Sequence, residues 1–285
     1  MVSMSASGQE AALPPVGRQI VEEKKRKARR RDVALRLVSV ISFFALWEIV
    51  TRINGVVVDL FNPILIPSPS EVLRVGIDML RSGELLTHLV ASLSRVVQGF
   101  ALASIMGVVM GVAVSRSTTL SSLFEPIVEM FRPIPSLAFL PIFVLWFGIG
   151  EMSKVIFIAY ATFFPVFTST AIGVRQIDPV LLRAAATLGA SKSDIFRYVE
   201  LPAASPSIIA GLRIGFGMSF FVIVAAEFIA ADSGLGFMIN DSRTFFNVPR
   251  MLLGAMVIGA IGFSFNIILR RVEASLLRWR VNALG

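Results

Sequence analysis

Six apolar blocks dominate the chain, at about residues 34–50, 89–114, 120–149, 155–174, 207–231 and 251–269. A helix needs about 20 apolar residues to cross a bilayer, so the pattern predicts an all-α membrane protein with six transmembrane helices. Two blocks carry small residues at four-residue spacing: Gly99, Ala103, Gly107 and Gly111 in the second, Gly211, Gly215 and Ser219 in the fifth. Such stripes let helix backbones approach closely in lipid. The third block is interrupted at Phe131-Arg132-Pro133-Ile134-Pro135, with Pro141 further on. Proline removes a backbone donor and crowds the preceding turn, so a kinked or broken span is expected there. Backbone freed at membrane depth must be satisfied by neighbours or by water in a cavity. Arg132, Pro133 and Pro135 are therefore candidates for lining a translocation pathway. The aromatic residues of the fourth block, Tyr160, Phe163, Phe164 and Phe167, read as packing rather than as a ligand box.

The longest polar interval of the C-terminal half, Asp178 to Pro202, is punctuated like folded structure. Asp178 can cap a helix that has Pro179 at its first position. Leu181, Leu182, Ala185 and Leu188 then share a face. Gly189 stands where a left-handed residue ends a helix. Ser191 and Asp194 have the spacing of a capping box, opening a second short helix that Pro202 ends at or before Leu201. Two short helices around a glycine turn make a candidate docking element; a solvated loop is the plainer alternative. Nearer the N-terminus, Ser68-Pro69-Ser70-Glu71 starts an amphipathic helix over residues 66–82, closed by Gly83. That helix either lies on the membrane surface or packs against the spans.

Charge and composition refine the picture. Charged residues make up only 16% of the chain, against about 25% in an ordinary soluble domain. The net charge of +8 invites a nucleic-acid reading. Much of it, however, lies between Lys24 and Arg31, just before the first apolar block, where it sets topology instead. Basic residues gather again from Arg175 to Arg197 and after Leu269, so both termini and the 175–206 segment are expected in the cytoplasm, with 66–82 outside. Residues 1–33 are expected as a disordered basic tail, 34–270 as the membrane domain and 271–285 as a cytoplasmic tail. With no Cys and a single His, thiolate chemistry and His-rich metal sites are excluded. His88 reads as an interfacial residue. No Gly-x-x-x-x-Gly-Lys-Ser/Thr phosphate loop occurs, nor any nucleophile–base–acid set, so no catalytic, cofactor or metal residue is predicted. Glu48 and Arg52 can pair across one helix turn. Arg95 is expected to reach the headgroups and Arg213 to snorkel. Glu227 costs a few kcal/mol inside a span and must face protein or water. It is either a paired or helix-capping group or a fourth candidate for the pathway.

The run Ala184-Ala185-Ala186-Thr187-Leu188-Gly189-Ala190, followed by Leu201-Pro202-Ala203 and Gly211-Leu212-Arg213, resembles the EAA loop of binding-protein-dependent ABC importer permeases. More narrowly, Ile66-Pro67-Ser68-Pro69-Ser70-Glu71-Val72, Arg132-Pro133-Ile134-Pro135, Leu145-Trp146-Phe147-Gly148-Ile149-Gly150-Glu151 and Val224-Ala225-Ala226-Glu227 with Gly234-Leu235-Gly236-Phe237-Met238 resemble the nitrate/sulfonate/taurine branch. The resemblance implies a type I importer permease of the bacterial inner membrane, with no enzymatic activity of its own. It implies ATP-binding cassette ATPase subunits docked on Arg183, Ala184, Ala185, Leu188, Gly189 and Asp194. It also implies a second permease copy in a homodimer, and a periplasmic or lipid-anchored binding protein delivering a small anion such as a sulfonate, taurine or nitrate. ATP would be bound by the partner; nucleic acid is not a partner. Arg183 departs from the family loop, which has glutamate at that position, so one acidic contact is lost or reversed in sign. An ion-coupled secondary transporter without an ATPase partner, or a membrane scaffold, are the alternatives of another class.

Overall fold

A computed structural model describes residues 15–54, 62 and 64–276. Among them it is helical: α1 (Pro15–Ile53), α2 (Pro69–Arg81), α3 (Glu84–Arg116), α4 (Thr118–Phe131), α5 (Ser136–Phe147), α6 (Glu151–Arg175), α7 (Pro179–Thr187), α8 (Lys192–Ile195), α9 (Leu201–Ala230), α10 (Leu235–Thr244) and α11 (Val248–Leu276). A π turn, Phe196–Glu200, joins α8 to α9. The described residues divide into two compact units, one up to residue 73 and one from residue 74 to residue 276.

In the first unit, Arg30–Ile53 of α1 is long and apolar enough to span a membrane. The helix begins well before residue 34, at Pro15. The Glu-, Lys-, Arg- and Ala-rich stretch ahead of the apolar block has good helix propensity and extends the helix backwards. Residues 1–14 of the expected basic tail, and 277–285 of the expected C-terminal tail, lie outside the described residues. Glu48 accepts from Arg52 Nε at 2.6 Å, as their spacing predicts. It also accepts from the backbone N–H and hydroxyl of Ser70, at 3.0 and 2.8 Å. One carboxylate thus ties the end of α1 to the first turn of α2.

The second unit is organised around α6, which lies between α3 and α9. The small-residue stripes are what admit it. A Cβ on Gly99 would fall 2.6 Å from Ile158 Cβ and 2.8 Å from the Val155 carbonyl oxygen. On Gly107 it would meet Val166 at 2.9 Å, and on Gly111 Thr170 at 2.8 Å. From the other side, Gly211 sits against Ser169 and Gly215 against Thr162 and Val166. Close backbone approach replaces side-chain interdigitation along both faces of α6. Around it Val96, Leu140, Phe143, Phe157, Ile158, Phe216, Phe220 and Ile223 form the buried core.

The spans in this unit are Glu84–Arg116, Glu151–Arg175, Lys192–Ile229 and Val248–Arg271, plus the pair Thr118–Phe131 and Ser136–Phe147, bent by 99°. With Arg30–Ile53, that makes the six expected, and the break falls at the Arg132–Pro135 stretch. The fifth span differs from expectation at its start. Pro202 does not end the helix. The chain widens into the π turn, and the Leu201 N–H reaches back to the Phe196 carbonyl. That loosened turn accommodates the proline ring at the second position of α9, so α8 and α9 run on as one rod. Arg213 does not simply snorkel: it pairs with Glu273 of α11 at 3.1 Å.

Candidate functional site

Three places carry polar chemistry. The first is the segment between α6 and α9. Asp178 Oδ1 accepts from the Val180 N–H at 2.8 Å, capping α7 behind Pro179. Gly189 is left-handed, φ +83°, and the Ala190 N–H returns to the Ala185 carbonyl. A side chain at Gly189 would meet nothing within 4 Å, so the constraint there is backbone conformation, not space. Ser191 and Asp194 form the complete capping box, with Ser191 Oγ accepting from the Asp194 N–H at 3.2 Å. The apolar face splits in a way the spacing did not predict. Leu182 packs against Ile177, Ala204 and Ile208. Val180 and Leu181 stay exposed, and Leu188, at the end of α7, is 88% exposed. Arg183, Ala184 and Asp194 are exposed as well, with Ala185 half-buried. The segment is thus capped at both helices and leaves an exposed apolar crest of Val180, Leu181 and Leu188.

The second place is the break between α4 and α5. Arg132, Pro133 and Pro135 line a cavity of about 420 Å³ together with Ser136, Tyr160, Phe164, Pro165, Thr168, Ser169, Ile214 and Met218. Tyr160, Phe164 and Thr168 recur every four residues on α6, so one helix face forms its wall. Tyr160 and Phe164, whose pattern reads as packing, also line this cavity. A smaller cavity of about 190 Å³ adjoins it, sharing Arg132 and Thr168 and bounded by Glu125, Glu129 and Arg175. Arg175 is ion-paired with Glu125.

The third place lies where α3 and α6 begin and α9 ends. Here Arg95, only 2% exposed, donates to Glu151 through Nε at 2.6 Å and Nη2 at 2.7 Å, and to Glu227 through Nη1 at 2.8 Å. It also donates to the Ser233 carbonyl at 2.6 Å. Arg95 therefore does not reach the headgroups. Two carboxylates hold it inside, because a guanidinium with five donors is best satisfied by such a fork. Lys154 joins through Glu151 at 2.9 Å. Glu227 is 1% exposed and accepts from Ser92 Oγ at 2.7 Å and from the Gly236 N–H at 2.8 Å. The Leu235 N–H donates to Ser92 Oγ at 2.7 Å, and the Gly234 N–H to His88 Nδ1 at 3.1 Å. His88 is thus buried, not interfacial, with its proton on Nε2. The first-turn donors of α10 are satisfied by side chains of α3 and α9, and a carboxylate sits at the positive end of that helix. Gly234 adopts φ +120°, and a Cβ there would lie 2.3 Å from the Glu227 carboxylate. Of the four candidate pathway residues, the structure brings Arg132, Pro133 and Pro135 to one cavity and places Glu227 in this network instead. The charge-bearing partners Arg95, Glu151 and Lys154 were visible in the sequence, but their convergence was not: they lie 56 or more residues from their counterparts, except Lys154.

A family model, binding-protein-dependent transport system inner membrane component, matches residues 99–278. The chain is 37% identical over 254 residues to the taurine transport system permease protein TauC of Escherichia coli K12, covering 87% of this chain and 90% of that one. It is 32% identical over 281 residues to SsuC of Bacillus subtilis 168, which is named for aliphatic sulfonates transport, covering 98% of both chains. Its fold matches an inward-facing structure of the MetNI methionine ABC transporter with a TM-score of 0.59 at 17% identity, over 65% of this chain and 93% of that one.

Proposed function

The chain belongs to the binding-protein-dependent transport system inner membrane component family, and on that footing we propose that it moves small organic sulfonates inward, driven by a separate ATPase docked on residues 178–202. The observation that carries this reading is the capped two-helix segment with its uncovered crest of Val180, Leu181 and Leu188. That crest suits a groove on an ATPase subunit, a helix-in-groove contact. Basic residues cluster at both termini and around this segment, which puts them in the cytoplasm of a bacterial inner membrane and the Arg95–Glu227 network at the outer face. Two copies of the permease would enclose the path. A binding protein would deliver substrate to the outer face. The names of the taurine and aliphatic sulfonate relatives support the substrate class. The cavity at the α4–α5 break is the part of the path each copy contributes.

Nucleotide drives such a cycle only if it binds the two permease states differently, and the handle is where that difference would be transmitted. Gly189→Val puts a β-branched residue into a left-handed conformation, at a cost of about 1 to 3 kcal/mol. In the reconstituted complex this change is expected to cut substrate-stimulated ATP hydrolysis by about tenfold or more. The permease should still elute as a folded species on size exclusion. Full stimulation in that variant would remove the turn from the coupling path.

A further inference from the structure

We infer that the cleft between α9 and α11 is a site for one anionic phospholipid, with its phosphate at Arg270, an ester carbonyl at Asn266 and an acyl chain running between Gly217 and Gly262. The inference goes beyond the transport reading and does not depend on which solute is carried.

The cleft has a volume of about 580 Å³. Its α11 wall is a single helix face, on which Gly262, Phe265, Asn266, Leu269 and Arg270 follow one another at helical spacing. The chemistry changes along that face in one direction. Arg270 is exposed and lies at the end of the span Val248–Arg271. Asn266 stands one turn further into the span, about 6 Å along the axis, and Gly262 two turns in, about 12 Å. Phosphate, ester carbonyls and acyl chain succeed one another in the same order along a phospholipid. Asn266 carries the only amide side chain between Met251 and Leu269. It is partly exposed in the cleft, and its amide has no hydrogen-bond partner among the described residues. A polar group at that depth is costly until something completes it, and an ester carbonyl accepts from its NH₂.

The α9 wall leaves room for the chain. Gly217 is exposed, and a Cβ added there or at Gly262 meets nothing within 4 Å. Phe216 and Phe220, both buried, close the back of the cleft, so the chain meets an apolar surface. The rim decides the headgroup. Arg213 is held by Glu273 at 3.1 Å, which leaves Arg270 to take the phosphate. Two arginines against one glutamate make the rim net positive, which suits an anionic headgroup and disfavours the ammonium of a zwitterionic one. The rim also argues against a second copy as the occupant. The apolar window of α1 is wholly uncovered, but its basic end carries Arg30, Arg31 and Arg36. Laid into the cleft from another copy with its basic end at the same boundary, α1 would set like charge against Arg270.

The test uses the full-length permease, purified and delipidated in mild detergent, with dioleoyl phosphatidylglycerol and dioleoyl phosphatidylethanolamine as probes and native mass spectrometry as the readout. The glycerol lipid is expected to bind saturably, a single molecule per chain, about tenfold more tightly than the ethanolamine lipid. Arg270→Gln should weaken that binding about fivefold. Arg271→Gln is the control, because its side chain is next in sequence but does not line the cleft, and it should leave the affinity close to native. Gly262→Leu fills the cleft without a clash and should abolish binding with the thermal midpoint unchanged. Gly217→Leu repeats the blockade from the opposite wall. Equal binding of the two lipids, equal losses in Arg270→Gln and Arg271→Gln, or undiminished binding in both leucine variants would each overturn the site. If the leucine variants instead split a dimer into monomers on light scattering, the cleft is a contact between copies and the lipid assignment falls.

Discussion

Arg95→Ala is expected to produce the largest loss of stability of any single change in this chain. The substitution leaves Glu227 inside a span with Ser92 and one backbone N–H as its only donors. Removing one member of a buried ion pair costs about 3 to 5 kcal/mol, most of it the penalty of the stranded charge. Glu227→Gln keeps the shape and can still accept from Ser92 and Gly236, so a loss of only about 1 to 3 kcal/mol is expected. The two effects separate in a double variant. Arg95→Met with Glu227→Leu removes both charges and should be more stable than Arg95→Ala alone, because no buried charge is left stranded while Glu151 keeps Lys154 as its partner in both variants. Thermal unfolding of the detergent-solubilised permease, followed by size-exclusion fluorescence, measures all three. Equal stability of Arg95→Ala and Glu227→Gln would mean that the pair contributes no more than its hydrogen bonds.

The second large effect is steric. Gly99→Leu places a branched side chain where even a Cβ would sit 2.6 Å from Ile158 and 2.8 Å from backbone. Neither neighbour is the far end of a flexible side chain, so α3 and α6 must separate. A loss of roughly 3 kcal/mol or more is expected, at the upper end of overpacking costs. Gly259→Leu is the control, since a Cβ there meets nothing within 4 Å and leucine is the better helix former. It should lie within about 0.5 kcal/mol of the native chain. If both leucines were equally tolerated, the glycine stripe would not be what seats α6.

Much of the architecture was legible from local pattern. Apolar length alone marks the spans, because the bilayer sets one length for all of them. The break at Arg132–Pro135 is a local consequence of proline, and the Ser191–Asp194 box and the Gly189 turn are local as well. The coupling candidates Arg183, Ala184, Ala185, Leu188, Gly189 and Asp194 lie on one segment, α7 to α8. What pattern could not show is tertiary pairing. Arg95 and Glu151 look like isolated charges, and Glu227, expected either to pair or cap a helix or to line the pathway, has no partner that spacing can name until three helices bring them together. Pro202 misled for a related reason: its usual effect is to stop a helix, but the π turn before it relieves the clash. Tyr160 and Phe164 look like packing in sequence because aromatic rings pack and line cavities with the same periodicity.

The continuity of Lys192–Ile229 has a mechanical consequence. At 38 residues, this rod is about 57 Å long. One tip carries the Ser191–Asp194 capping box, and near the far tip Glu227 accepts from the Gly236 N–H in the first turn of α10. A tilt imposed at one tip is carried to the other by continuous helical hydrogen bonding, the π turn at Phe196–Glu200 included. In the transport reading proposed above, a push applied at residues 178–202 would reach the contact between Glu227 and α10 along one lever.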